Sequence, residues 1–234
     1  MGRTPACVRQ AINASSNELL ACLGKDNVPV LIAGTGTQRA VDAETEHSGF
    51  SILHSLELGD EEKTAIWGLF EGNMRDLYSG SSFGWNPADK KKEIFHMLSR
   101  FLLVYDPDKK ANLIAFCMFR FENEEGEDVV YCYDIQISSQ YHRIGVGRRL
   151  IHVLCVIGKV FGMEKVLLTV LKGIHALPYV TVYLCEPPAN AKAMVFYRAC
   201  GFQVDPNSPS KFLTEDSPER DKFDYEIMSR ELRT

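Results

Sequence analysis

The sequence predicts an α+β fold with a mixed central β-sheet flanked by helices, and three observations carry that reading. Val129, Tyr131, Tyr133, Ile135 and Ile137 alternate with other residues and are β-branched or aromatic, the pattern of a strand. Past Ser138 and Ser139, the apolar residues Val146, Leu150, Ile151, Val153, Leu154, Ile157, Val160 and Phe161 fall at helical spacing, and the run KVLLTVLK at 165–172 supplies a further buried strand. A crossover through that helix makes the two strands parallel. Upstream, 100–105 and 112–122 read as strands joined by the turn Asp106-Pro107-Asp108, so that half of the sheet is antiparallel.

Taken in order, residues 7–23 carry Val8, Ile12, Leu19, Leu20 and Leu23 near helical spacing, with Gly24 as a stop. Residues 25–49 are rich in Gly, Thr and mixed charge and read as a loop or arm. A short strand is expected over 50–58. Asp60 then caps a helix running to about Tyr78, with Ala65, Ile66, Leu69, Met74 and Leu77 on one face; Gly68 and Gly72 weaken it. In the following loop, SGSSFGWNP, Phe83 and Trp85 either tuck back onto the core or wall a pocket, and the sequence leaves both open. Residues 90–98 predict a short helix, ENEEGED at 122–128 an acidic turn, 190–200 a helix ended by Gly201, and 223–231 a last alternating strand. The division that follows is an N-terminal helix and variable arm over 1–48 and the sheet domain over 49–234.

A chain of 234 residues with 45% hydrophobic content can bury one sizeable core. The net charge of −5 argues against a protein that coats nucleic acid and permits a basic peptide partner. Seven cysteines show no CxxC pair or metal-ligand spacing, so they read as reduced residues of an intracellular protein, and no metal is expected. No apolar run reaches membrane-spanning length, and the first residues lack the apolar core of a signal peptide. Met1-Gly2 invites a check for myristoylation, but Ala6 stands where Ser or Thr is wanted.

The chemistry gathers where the central strand meets its helix. Gly145 and Gly147 open the helix, so unpaired N–H groups and the positive end of its dipole face outward with no side chain to block close approach. Arg143, Arg148 and Arg149 add positive charge. The segment reads as a pyrophosphate cradle or as a tight turn that binds nothing, and its place between strand and amphipathic helix favours the cradle. Its spacing is neither that of GxGxxG nor that of a P-loop. Glu122 and Glu124 can hold an ammonium or guanidinium group by charge-assisted bonds, or form a solvated hairpin.

The segment His142-Arg143-Ile144-Gly145-Val146-Gly147 resembles the acetyl-CoA loop Q/R-x-x-G-x-G/A of the GNAT acetyltransferases, with His142 in place of the usual Gln or Arg. The likeness runs from about Gly49 onward through NMRDLY-x4-FGW, FRFE-x8-YCYDIQI, RIGVGRRL, LLTVLK, N-x5-FYRACGF and DYEIMSRE. In this order these are similar to the NatD-type histone-specific N-α-acetyltransferases. The resemblance implies a GNAT fold and acetyl transfer from acetyl-CoA to the N-terminal Ser amine of tails beginning Ser-Gly-Arg-Gly, as in core histones H-four and H-two-A. It implies acetyl-CoA contacts at Ile135, Gln136, Ile137, Arg143, Ile144, Gly145, Val146, Gly147, Arg148 and Asn190, although a lone Asn such as Asn190 also suits a helix cap. Substrate contacts fall on Tyr78, Phe83, Glu122, Glu124, Tyr131, Tyr133, Thr169, Asn207 and Tyr225. For the α-amine substrate that the resemblance implies, with a reference pKa of about 8 and so in need of only modest help to lose its proton, Asp134 or Glu122, directly or through a water, is the candidate base, and backbone N–H groups at Ile135–Ile137 are candidate oxyanion donors. Tyr197 sits where many GNAT enzymes keep a Tyr that protonates the departing thiolate, and equally suits a core position. Phe83 stands where the family has Trp, Glu122 where it has Asp, Asp134 where it has Glu and Asn207 where it has Ser. The chemical types are largely kept while reach changes, which bears on rate more than on substrate class. Also implied are histone tails as partners, a place in nucleus and cytoplasm, and no nucleic acid, membrane or obligate auxiliary subunit.

Residues 173–188, GIHALPYVTVYLCEPP, have no counterpart in that family, and removing them joins LTVLK to ANAKAMVFYR. They read as a retained intron, with a split Ala codon giving Gly173 at one end and Ala189 at the other, or as a surface loop over the acetyl-CoA site. Two further functional readings stand beside the histone one: a GNAT enzyme acting on other amines, and a noncatalytic acyl-CoA-binding protein.

Overall fold

The computed structural model describes residues 4–24, 49–106, 108–109, 112–172, 190–212 and 223–233. Its elements are α1 (Ala6–Asn13), α2 (Ser16–Ala21), β1 (Phe50–His54), α3 (Asp60–Ser79), α4 (Pro87–Ile94), β2 (Arg100–Tyr105), β3 (Leu113–Glu124) and β4 (Glu127–Ile137). They continue with α5 (Val146–Val160), β5 (Lys165–Leu171), α6 (Ala191–Ala199), β6 (Gln203–Val204), α7 (Pro209–Phe212) and β7 (Tyr225–Glu231). The strands form one sheet in the order β1-β2-β3-β4-β5-β7-β6. Every neighbouring pair is antiparallel except β4 and β5, which the α5 crossover makes parallel, so the predicted mixed sheet is the observed one.

Each face of the sheet buries a separate apolar layer. On one face Leu150, Val153, Leu154 and Ile157 of α5 pack on Val130 and Cys132 of β4 and on Val166, Leu168 and Val170 of β5, with Val8 and Ala11 of α1, Leu19 of α2 and Leu23 just past it closing the layer. On the other, Ile66 and Phe70 of α3 and Ile94 of α4 pack on Phe101, Leu103, Phe116 and Met118. The second cover stops short of β5 and β7, leaving Thr169 exposed and Tyr225 and Ile227 half-buried there.

A β-bulge in β4 sets which side chains reach that open area. Pairing passes from Phe119↔Cys132 to Met118↔Asp134, so Tyr133 is the extra residue. Before it the even-numbered Val130 and Cys132 face α5; beyond it Ile135 and Ile137 do. The bulge therefore turns Tyr133 and Asp134 both toward α3 and α4.

Several boundaries differ from the sequence reading for local reasons. The helix expected over 7–23 is two helices, because Ala14 is extended (ψ 135°) and Ser15 restarts the helix in a capping box with Glu18. The strand expected over 50–58 ends at His54, whose ring nitrogen accepts from Leu56 N–H to start a 3₁₀ turn at Ser55–Glu57. Asp60 is the first residue of α3 and does not cap it; Gly59 precedes it and has no side chain to do so. The helix expected over 90–98 is shifted to Pro87–Ile94, since Asn86 accepts from Asp89 N–H and Pro87 suits the first position. The acidic turn shrinks to Glu125 and Gly126, with φ of 52° and 90°, a two-residue hairpin that leaves Glu122 and Glu124 inside β3. β6 and α7 are too short for periodicity to register. The arm at 25–48 and the insertion at 173–188 lie outside the described residues, as does Pro107 of the expected turn. No described helix is long and apolar enough to cross a membrane. Among the described residues no cluster of His, Cys, Asp and Glu could hold a metal ion.

Candidate active site

β4 and β5 run side by side only from Val129↔Lys165 to Cys132↔Leu168. Beyond that point β4 continues to Ile137 in register with β3, and β5 continues to Leu171 in register with β7, so the two strands part. Ser138 N–H donates to Ile114 O at 2.8 Å, and by the alternation of an antiparallel ladder the N–H groups of Ile135 and Ile137 point into the opening. Gly145 stands at its mouth as the residue before α5, with φ of 94° and no side-chain cap on the first-turn N–H groups. A Cβ on Gly145 would meet nothing within 4 Å, so this end of the helix is open to an anion.

The two glycines of the loop do different work, which corrects their joint reading as openers of an anion site. Gly147 is buried, and a Cβ there would lie 2.9 Å from Phe196 Cζ and 3.2 Å from Ile137 Cδ1; its small size lets α5 seat against α6 and β4. Val146 is also buried, so it faces a ligand only through its backbone. Arg143, Ile144 and Arg148 are exposed around Gly145, and Arg149 is half-buried. His142 Nε2 lies 3.0 Å from Ile137 O. Asn190 does not cap α6 with its side chain; its amide donates to Leu171 O at 2.7 Å, tying the start of α6 to the end of β5.

Asp134 lies on the side of β4 facing α3 and α4. Burial raises its carboxyl to about 7, against the pull of the Gln136 amide, which donates to Oδ1 at 3.0 Å, and of the Lys90 ammonium. Lys90 Nζ sits 4.4 Å over the Tyr78 ring and 3.0 Å from Glu93 Oε1. Burial also raises the Tyr78 phenol.

From Asp134 an aromatic and acidic surface extends across β4 and β3. Tyr131 and Tyr133 lie 4.5 Å apart, ring to ring. The Tyr131 hydroxyl is 2.8 Å from Thr169 Oγ1, and the Tyr133 hydroxyl donates to Glu122 Oε1 at 2.9 Å. Partial burial and the nearby Glu122 raise Glu124 above the ordinary carboxylate value. Phe83 bridges Tyr78, at 6.4 Å, and Tyr225, at 5.7 Å, and is 53% exposed. Trp85 instead stacks on Trp67 and Phe70. The two open readings of the aromatic loop are thus divided: Trp85 returns to the core and Phe83 forms a wall.

The structure brings Tyr78, Phe83, Tyr225, Tyr131, Tyr133, Thr169, Glu122, Glu124 and Asp134 to one face of the sheet. Asn207 is not tied to that surface: it is exposed after Asp205, to whose Oδ1 its N–H donates, and no side-chain hydrogen bond among the described residues joins it to Tyr131 or Thr169. Tyr197 packs edge-on against Phe196 and Phe202 at the margin of the α5-side core, and burial pushes its phenol well up. Both readings of Tyr197, core aromatic and proton donor, are compatible with that position. A cavity of about 660 Å³ lined by Gln203, Lys211, Arg230 and Glu231 lies at the other edge of the sheet and holds none of the predicted site residues.

Three residues at the site escaped the sequence reading. Arg120 lies 4.3 Å over the Tyr133 ring and alternates with Glu122 along β3, a signal that was present in the sequence. Lys90 and Asn73 reach β4 from helices 44 and 63 positions earlier than their partners Asp134 and Gln136, and local pattern carries no trace of that.

The Acetyltransferase (GNAT) family profile matches residues 67–202, more than half of the chain. The chain belongs to the GNAT acetyltransferase family, whose fold binds acetyl-CoA. Among solved structures, a GNAT-family acetyltransferase from Staphylococcus aureus Mu50 is similar at 12% identity and a TM-score of 0.52, over 79% of this chain and 99% of that one. An acetyltransferase from Streptococcus agalactiae 2603 is similar at 12% identity and a TM-score of 0.52, over 78% and 98%. Arabidopsis thaliana Naa50 with a bisubstrate analogue is similar at 17% identity and a TM-score of 0.45, over 78% and 98%, a likeness too remote to bear on substrate. The open N-terminus of α5, the arginines around it and the parted strands fit acetyl-CoA, which supplies the thioester-bound acetyl group.

Proposed function

We propose that this chain is an N-α-acetyltransferase that transfers the acetyl group of acetyl-CoA to the N-terminal Ser amine of tails beginning Ser-Gly-Arg-Gly, as in histones H-four and H-two-A. The observation that supports it most is the acidic, tyrosine-lined surface of Glu122, Glu124, Tyr131 and Tyr133 leading to the buried carboxyl of Asp134. Glu122 and Glu124 bind the guanidinium of the third residue, and Tyr131, Tyr133 and Phe83 flank the peptide. Asp134, directly or through one water, takes a proton from the α-ammonium near neutrality, where its own pKa is matched to that task. Each carboxylate has one oxygen held, Glu122 by Tyr133 and Asp134 by Gln136, and Asp134 serves as base in preference because burial raises it to about 7, where it can take a proton near neutrality.

Ile135 and Ile137 offer N–H groups to the oxygen of the acetyl carbonyl as the amine adds, and the first turn of α5 with Arg143 and Arg148 holds the phosphates. Asn190 holds the pantetheine arm through its remaining amide oxygen. As the C–S bond of the adduct breaks, Tyr197, kept protonated by burial, gives its proton to the departing thiolate and is reprotonated by the proton that the adduct nitrogen releases on becoming the amide, while the proton taken by Asp134 passes to solvent. Histone tails as partners put this activity in the nucleus and cytoplasm.

The reading is tested with purified chain and acetyl-CoA on three substrates: a Ser-Gly-Arg-Gly peptide, the same peptide with a blocked N-terminus and a free Lys, and a small polyamine. Turnover confined to the free α-amine supports the proposal. Turnover on the blocked peptide or polyamine assigns the chain to other amines, and acetyl-CoA binding without turnover on any of the three makes it a noncatalytic binder.

A further inference from the structure

Asn73, on the fourth turn of α3, reaches two acceptors of β4 with one nitrogen. Its Nδ2 lies 3.2 Å from Ile137 O and 3.1 Å from the side-chain oxygen of Gln136. A backbone carbonyl can only accept, so the atom of Asn73 facing Ile137 must be the NH₂. The Gln136 atom facing that same NH₂ must then be Oε1, which turns Gln136 Nε2 toward Asp134 Oδ1 at 3.0 Å and obliges Asp134 to accept. The direction of the whole chain is therefore set at its far end, by a carbonyl whose role cannot change.

We infer that Asn73 is a positioning residue that fixes the donor direction of a relay from Asn73 through Gln136 to Asp134, and so holds Asp134 as a proton acceptor. Without Asn73 the Gln136 amide is free to turn over and present Oε1, an arrangement that favours a protonated Asp134 donating to it. The other groups around Asp134 do not set this direction. Lys90 of α4 favours the carboxylate and Glu93 of α4 opposes it, while Tyr78 of α3, Cys117 of β3 and Tyr197 of α6 are neutral groups at its side. His142 approaches the same Ile137 carbonyl at 3.0 Å, so the relay begins at the loop proposed to hold acetyl-CoA. The catalytic part of this inference rests on Asp134 as the base; the direction of the relay does not.

The test uses the full chain with Asn73→Ala, Gln136→Met and both together. A ¹³C NMR titration of the Asp134 carboxyl, made without substrate, reads the relay whether or not Ser-Gly-Arg-Gly is the substrate. Loss of one hydrogen bond to the carboxylate is expected to raise the Asp134 midpoint by about one pH unit in each single variant. The double variant is expected to shift no further than either single one, because both break the same chain of bonds. In the acetylation assay the acid limb of kcat/KM moves to higher pH by the same amount. An unmoved Asp134 midpoint in Asn73→Ala overturns the inference, as does a double variant whose shift is the sum of the two. Should Asn73→Ala fail to fold, the uncharged Asn73→Leu keeps the side-chain volume and likewise removes the donor to Gln136 Oε1: it is expected to raise the midpoint, and no rise overturns the inference.

Discussion

The hydroxyl of Tyr133 donates to Glu122 Oε1 at 2.9 Å, which joins the bulged residue of β4 to the acidic face of β3. One oxygen of Glu122 is thereby held, and the carboxylate is oriented before any peptide arrives. If Glu122 binds the third-residue Arg, Glu122→Gln loses about 1.5–3 kcal/mol of charge-assisted bonding, roughly a 10- to 100-fold fall in kcat/KM. Peptide kinetics check this, and on a Ser-Gly-Ala-Gly peptide the wild type and the variant are expected to converge.

Asp134 makes folding stability depend on pH in a stated direction. Its folded pKa of about 7 lies above the ordinary aspartate value of 3.8, so between those values the folded chain holds a proton that the unfolded chain has released. The contribution of this group is absent below the lower value, becomes increasingly destabilising up to about 7 and is constant above it. At about 1.4 kcal/mol per unit the full cost is on the order of 4 kcal/mol. Asp134→Asn is therefore expected to stabilise the chain at pH 8 and to leave it nearly unchanged at pH 3.5, as read by denaturant unfolding, while lowering kcat by roughly 100-fold or more if Asp134 is the base.

Gly147 and Gly145 are expected to fail in different ways. Gly147→Ala forces a methyl within 2.9 Å of Phe196 and costs about 1–3 kcal/mol of stability by overpacking. Gly145→Ala meets no neighbour but strains a backbone at φ 94°, costing about 1–2 kcal/mol. It also narrows the open end of α5. Unfolding curves measured together with CoA titration separate the two: Gly145→Ala weakens binding beyond what its stability loss explains.

Lys165 is buried between Glu127, at 2.5 Å, and Asp205, at 2.9 Å. Asp205 itself is fully buried. Asp205→Ala leaves that ammonium short of a partner in the interior and is expected to cost about 3–5 kcal/mol, a loss visible as a lowered Tm. Lys165→Met with Asp205→Leu, which removes both charges, is expected to recover much of it.

The central strand, the crossover and the parallel neighbour were legible because β-branched and aromatic residues run through Val129–Ile137, period 3.6 holds over Val146–Val160 and an apolar run fills 165–171, although the bulge at Tyr133 means that the alternating residues of the central strand do not share one face. The break at Ala14 and the shift of α4 to Pro87 turned on single capping residues, Ser15 and Asn86, which a periodic pattern overlooks. The site was legible as residue types along β3 and β4. What escaped is made by distance in sequence: the bulge at Tyr133 that brings Asp134 to the same side, and the reach of Lys90 and Asn73 from helices. The same limit explains Gly147, whose reason for being glycine is Phe196 on another helix.

The most direct test of the substrate reading is tandem mass spectrometry of a Ser-Gly-Arg-Gly-Lys peptide incubated with acetyl-CoA and either the full chain or a chain lacking 173–188. The account predicts a single acetyl group on the α-amine of Ser, formed by the shortened chain at least as fast as by the full one. Acetyl found only on the Lys side chain, or on neither amine with either protein, contradicts it.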